Sequence, residues 1–138
     1  MAAFGSAVPI DHVGVSAYTV PTDAPESDGT LEWNATTLVV VCLNAGGVRA
    51  LGYTYADSPT ALLIRDKLAP LLHGRDVMAT HARWLDMVRA IRNLGRPGIA
   101  SMAISAVDVA IWDAKARLLN VPLATLLGQA REHIAVYG

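Results

Sequence analysis

One cysteine stands among 138 residues, so the chain forms no internal disulfide. Cys42 lies inside the run Leu38-Val39-Val40-Val41-Cys42-Leu43, where it reads as a small buried hydrophobe on a strand. No acid or base adjoins it in an arrangement that would make it a nucleophile. The same run is the longest strongly apolar stretch, and its six residues fall far short of the roughly 20 that a spanning helix requires. No transmembrane segment and no membrane partner are expected. An excess of one charge is lacking as well: 11 basic against 12 acidic residues leave a formal net charge of −1 and no electrostatic footprint for nucleic acid. The first nine residues lack the positive start and apolar stretch of a secretory signal, which makes a cytoplasmic location the expectation. There is no GxSxG, no phosphate loop and no GxGxxG. The four histidines, His12, His73, His81 and His133, show none of the short spacings of a zinc site.

What is present is apolar. Such residues make up 53% of the chain and mean hydropathy is +0.36, high for a domain of this size. A face that docks on something else explains this, and so does alanine richness, which raises hydropathy without building a patch. Residues 10–20 alternate weakly between Pro9 and Pro21 and predict a first strand. Residues 21–30 hold two prolines, a glycine and three acids and predict a long surface loop, of the kind that serves as a lid or binding loop. Residues 36–43 and 48–55 predict a hairpin around Asn44-Ala45-Gly46-Gly47. Together these make a three-stranded antiparallel meander.

Three helices are expected to follow. The first has Ser58 as N-cap, Pro59 at its first position and His73-Gly74 as its stop. The second carries Trp84, Met87, Val88 and Ile91 and ends near Asn93-Leu94-Gly95. The third runs from beyond Pro97-Gly98 to about Asn120, where Val121-Pro122 ends it. On it Ala103, Ala106, Ala110 and Ala114 form a narrow face that permits close backbone approach, beside a larger stripe of Ile104, Val107, Ile111 and Leu118. Trp112 is expected to be buried and Asp113 to lie at a polar margin, paired with Arg117 four residues on. Asp108 has no neighbouring oxygen donors with which to hold a metal, so its expected role is structural. Glu26 and Asp28 share one solvated loop, where both remain ionised and make a poor acid and base pair.

The stretch Ala106-Val107-Asp108-Val109-Ala110-Ile111-Trp112-Asp113-Ala114-Lys115-Ala116-Arg117, followed by Asn120-Val121-Pro122-Leu123-Ala124-Thr125-Leu126-Leu127-Gly128, resembles a signature of the enolase superfamily, and most closely of its mandelate racemase and muconate lactonizing branch. The resemblance implies an α+β fold, a three-stranded meander followed by a three-helix bundle. Residues 1–130 would be an N-terminal capping domain that selects substrate. Residues 131–138 would open a (β/α) barrel on the strand His133-Ile134-Ala135-Val136-Tyr137-Gly138, with the remainder of the barrel absent.

By the same resemblance residues 21–33 correspond to the first specificity loop and Gly52-Tyr53-Thr54-Tyr55-Ala56 to the second. Thr22, Asp28, Trp33, Tyr53 and Tyr55 are the substrate-binding candidates. A tyrosine at a strand end offers an apolar ring and a hydroxyl that orients a polar ligand, although packing on the next helix is an equally good reading. The implied activity is proton abstraction α to a carboxylate by a lysine or histidine base, with Mg²⁺ stabilising the enediolate. Racemisation, dehydration of an acid sugar or cycloisomerisation would follow. Base and metal ligands would all lie beyond Gly138, leaving no catalytic residue and no metal ligand in this chain. The implied partners are a small carboxylic acid, the barrel and further copies in a homo-oligomer. A different class stays open: a free-standing α+β module that binds a small molecule or a protein without catalysis. The length of the open reading frame separates the two.

Overall fold

The computed structural model describes residues 7–136. Strands β1 (Ile10–Ser27), β2 (Glu32–Ala45) and β3 (Val48–Tyr55) form one antiparallel sheet in the order β1-β2-β3. The expected meander is present. Burial along β2 has the period of two that a one-sided sheet requires: Val39, Val41, Leu43 and Ala45 are fully buried, whereas Leu38, Val40 and Cys42 between them are only partly covered. Cys42 is therefore half-buried on the outward face, which corrects the expectation of a core residue. Its Sγ accepts a hydrogen bond from Arg49 Nη2 at 3.4 Å. The turn between β2 and β3 is Gly46-Gly47, with φ of +54° and +80°. Two successive residues of positive φ match the right-handed twist of the flanking strands, and glycine adopts that conformation without penalty.

The expected loop over residues 21–30 is not a loop. β1 continues through Pro21 to Ser27 and pairs with β2 to the end, Glu26 opposite Trp33 and Ser27 opposite Glu32. Between the pairs Pro21–Ala35 and Glu26–Trp33 the register shifts, so that Thr22, Asp23, Ala24 and Pro25 stand opposite Asn34 alone. Both prolines fall where their missing N–H costs no ladder bond: β1 is an edge strand, and Pro25 lies in the bulge. Polar composition had suggested irregular backbone, but a two-stranded ribbon that projects from the sheet is polar on both faces for the same reason.

Helices α1 (Ser58–Leu63) and α2 (Ala69–Leu72) are joined by a π-helical stretch, Ile64–Leu68. Pro70 has no N–H to give to the carbonyl of Asp66 and its ring crowds that carbonyl. One widened turn, in which Ala69 N donates to Ile64 O, relieves the clash without ending the helix. Asp57, not Ser58, holds the N-cap position, and no side chain caps this end. Helix α3 (Thr80–Ala90) stops a turn earlier than expected, with turns through Leu94 to Gly95 at φ +79°. Helix α4 (Ile99–Leu118) is the central element.

All four of its spaced alanines are fully buried, and they bring it close against β3. A Cβ placed on Gly52 would lie 2.0 Å from Ala106 O and 2.7 Å from Ala110 N. Ile104, Val107 and Ile111 complete a core with Val39, Val41, Leu43, Ile64, Leu68 and Met87. Short helix α5 (Leu123–Leu127) ends on Gly128 at φ +83°. Residues 133–136 form no strand, and Ile134 and Val136 are 82% and 90% exposed. A strand needs a neighbour to take its hydrogen bonds, and among the described residues none lies beside this segment. Tyr137 and Gly138 fall outside the described residues. No described helix is long and apolar enough to cross a membrane.

Candidate functional site

The β1–β2 ribbon is held at its tip by Asp28. Its Oδ1 accepts hydrogen bonds from Thr30 Oγ1 at 2.6 Å, Thr30 N at 2.9 Å and Leu31 N at 2.9 Å, closing the turn over Gly29. This is the self-bonding that suits aspartate to turns. The Thr30 hydroxyl foremost, then the two amides, favour the charged form and hold the carboxyl down at about 2. Asp28 is thus a fixed structural anion, and Glu26 beside it accepts from Trp33 Nε1 at 2.9 Å. Trp33, half-buried on the return strand β2, is thereby tied to β1.

Since the folded pKa of Asp28 lies below its ordinary 3.8, its hydrogen bonds favour the turn fully above that value. The contribution disappears as pH falls through about 2. A carboxyl ¹³C titration is expected to place the midpoint near 2. A midpoint at the ordinary value would show that the turn is open.

At the root of the ribbon, where β3 leaves the sheet and α4 begins, lies a cleft of about 390 Å³. Its walls include Thr37, Tyr55, Asp57, Ile99 and Met102, and Ala35, the register partner of Pro21, ties it to the base of the ribbon. Tyr53 and Tyr55 lie on the outward face of β3, 62% and 64% exposed. Register places Tyr55 in one row with Leu38 and Tyr18, and Tyr53 in the next with Val40 and Ser16. Of the five substrate-binding candidates, Tyr55 lines the cleft. Thr22 lies in the bulge next to Pro21 with its Oγ1 buried and without a hydrogen-bond partner, while Asp28 and Trp33 are engaged inside the ribbon. Asp57, Ile99 and Met102 were not foreseen. The signal was available in part, because a helix start at Asp57-Ser58-Pro59 and another after Gly98 mark segments that can share one end of the fold.

On α4 the expectation for Trp112 is corrected. It is half-buried, edge-on to His81 with ring centroids 5.8 Å apart, and Lys115 Nζ stands 5.3 Å from its ring centre. Position 112 falls between the buried Ile111 and the flank of the α3–α4 pair, so its ring covers a margin of the core. Asp113 does more than expected: its Oδ2 accepts from Leu51 N of the edge strand at 2.8 Å as well as from Arg117 Nε at 2.8 Å. No group of three or more His, Cys, Asp or Glu side chains that could hold a metal ion occurs among the described residues.

A sequence model of the mandelate racemase / muconate lactonizing enzyme N-terminal domain matches residues 14–128. Among solved structures, a mandelate racemase/muconate lactonizing enzyme-like protein from Rubrobacter xylanophilus is 52% identical with a TM-score of 0.83, over 86% of this chain and 33% of its own. A racemase from Streptomyces coelicolor A3(2), solved with bound magnesium, is 31% identical with a TM-score of 0.83, over 86% of this chain and 35% of its own. A D-mannonate dehydratase of Caulobacter sp. (strain K31) is 43% identical over 76 residues, which are 54% of this chain and 19% of that protein. The chain spans about a third of the length of these solved relatives and a fifth of that dehydratase.

Proposed function

Because the chain belongs to the mandelate racemase / muconate lactonizing enzyme N-terminal domain family, we propose that it acts as the capping, substrate-selecting domain of an enolase-superfamily enzyme. Residues 1–130 form the cap and residues 131–138 lead into a (β/α) barrel. The reaction of the whole enzyme is proton abstraction α to the carboxylate of a small hydroxy acid, completed as racemisation, dehydration or cycloisomerisation. The observation that carries this reading is the placement of the projecting ribbon and the Tyr55–Asp57 cleft at one end of the sheet, around the pair Pro21–Ala35. That placement suits a closure element.

The described residues of this chain do not fit a Mg²⁺ ion. By the family resemblance, the metal of the whole enzyme and the lysine or histidine base are assigned to residues beyond Gly138. The part left to this chain is binding. The ribbon excludes water from the barrel mouth, and Tyr55 presents a ring for desolvation and a hydroxyl that orients a polar group of the substrate. Asp28 serves the ribbon structurally, its Oδ1 being committed to Thr30 and Leu31 in the turn.

In the full enzyme, replacement of residues 22–30 by a short Gly/Ser link is expected to raise KM and alter substrate preference, while exchange of the α-proton with solvent survives at a reduced rate. Tyr55→Phe is expected to lower kcat/KM by a factor of about 2 to 13, the loss of one neutral hydrogen bond of roughly 0.5 to 1.5 kcal/mol. Unchanged kinetics in the shortened enzyme would reduce the ribbon to a connection. Loss of all proton exchange with the fold intact would place a catalytic group in this domain and overturn the division of labour.

A further inference from the structure

A second cleft, of about 300 Å³, opens between α3 and α4 and shares no residue with the first. Its walls are Thr80, His81, Trp84, Asp108 and Trp112. Two polar atoms there are buried without a hydrogen-bond partner: Oγ1 of Thr80, a residue 2% exposed, and Oδ1 of Asp108. Buried polar groups are nearly always paired, and an unpaired carboxylate oxygen is among the costliest exceptions. The neighbouring cations are engaged elsewhere. Lys115 Nζ donates to Met78 O at 3.0 Å, Arg83 pairs with Asp86 at 2.9 Å and Arg96 lies 5.3 Å from the ring centre of Trp84. Burial pushes the Asp108 carboxyl upward, outweighing the favourable charge interaction with His81. The wall thus offers an under-compensated acceptor and a threonine hydroxyl, flanked by two indoles, each of which already has a basic side chain 5.3 Å from its ring centre.

We propose that this cleft binds an organic cation bearing N–H donors, a guanidinium or alkylammonium group, with Asp108 Oδ1 as charge partner and acceptor, Thr80 Oγ1 as second acceptor and Trp84 and Trp112 as flanking walls. A cation of this type completes both orphaned atoms at once, which an anion or an apolar group does not. Its volume suits one side-chain-sized group. The group belongs to a free small molecule, since the neighbouring basic side chains are engaged elsewhere.

The test uses the purified protein with methylguanidinium and ethylammonium chlorides as probes, against sodium chloride at equal ionic strength. Indole N–H resonances report Trp84 and Trp112, and Trp33 serves as internal reference. Saturable shifts of Trp84 and Trp112 alone, with affinity at least about tenfold weaker in Asp108→Asn and weakened again in Thr80→Val, support a site for a free cation. Absence of probe binding together with a lower Tm for Asp108→Asn gives Asp108 a purely structural role and overturns the proposal. Absence of binding with an unchanged or raised Tm for Asp108→Asn means that the cleft holds water only and overturns the proposal. So does binding of equal strength in wild type and Asp108→Asn.

Discussion

Gly52→Ala is expected to destabilise the domain by at least about 3 kcal/mol, beyond the roughly 1 to 3 kcal/mol typical of overpacking. The added methyl would stand 2.0 Å from Ala106 O, 2.7 Å from Ala110 N and 3.1 Å from Ala110 Cβ. Two of these three obstacles are backbone atoms of α4, which no rotamer change can withdraw. Relief requires α4 to move away from β3 along the whole face set by Ala103, Ala106, Ala110 and Ala114, and that opens the core at Ile104, Val107 and Ile111. For a domain stabilised by about 5 to 15 kcal/mol in total, such a loss removes a large share of the folded population's margin. Gly47→Ala supplies the control. Nothing lies within 4 Å of its added Cβ, but its φ is +80°, so it isolates the conformational cost of about 1 to 2 kcal/mol. Urea denaturation followed by far-UV circular dichroism measures both. Similar midpoints for the two variants would show that α4 stands further from the sheet than the packing described.

The same close approach shows what a sequence can convey. The alanine spacing on α4 predicted a face for near contact, and the contact is there, but nothing in the spacing identified Gly52 as the residue it meets. Periodicity reports which side of one element is buried, whereas the partner is fixed only when elements are docked. The ribbon illustrates a different gap. Pro21, Pro25 and the acids of residues 21–30 signal solvent exposure and irregular hydrogen bonding, and both are correct. They do not distinguish a free loop from an edge hairpin with a bulge, since β-edges also tolerate proline.

The family was legible because it depends on a long contiguous pattern, and the candidate site was much less so because it depends on juxtaposition. The stretch from Ala106 to Gly128 carried the family by itself. The cleft at Tyr55 is assembled from β2, β3, the start of α1 and the start of α4, four segments spread from Ala35 to Met102. Tyr55 was found through a local resemblance, and Asp57, Ile99 and Met102 had none. The neighbours that give Asp108 interest, Thr80 and His81, sit on another helix, which no pattern within α4 indicates.

The second large effect expected is a ranking along one turn of α4. Ile111 is fully buried in the core between the sheet and the helices, so Ile111→Ala should cost about 3 to 5 kcal/mol, the lost transfer energy plus the cavity left behind. Trp112, partly exposed beside His81 and Lys115, should lose about 2 kcal/mol as alanine, less than a fully buried indole, because water already reaches one side of the ring. Asp113 should fall near 1 kcal/mol. Its carboxylate accepts the Leu51 N–H and the Arg117 Nε–H, and the i,i+4 pair with Arg117 adds only a few tenths.

Asp113→Asn keeps an acceptor for Leu51 and should recover most of that loss, which separates the edge-strand bond from the ion pair. Chemical denaturation of the four variants with a common slope decides the ranking. Equal losses at positions 111 and 112 would mean that α4 is rotated about its axis by enough to bury both. A loss at Trp112 exceeding that at Ile111 would place the Thr80–Asp108 cleft inside the core and remove the opening on which a cation site depends.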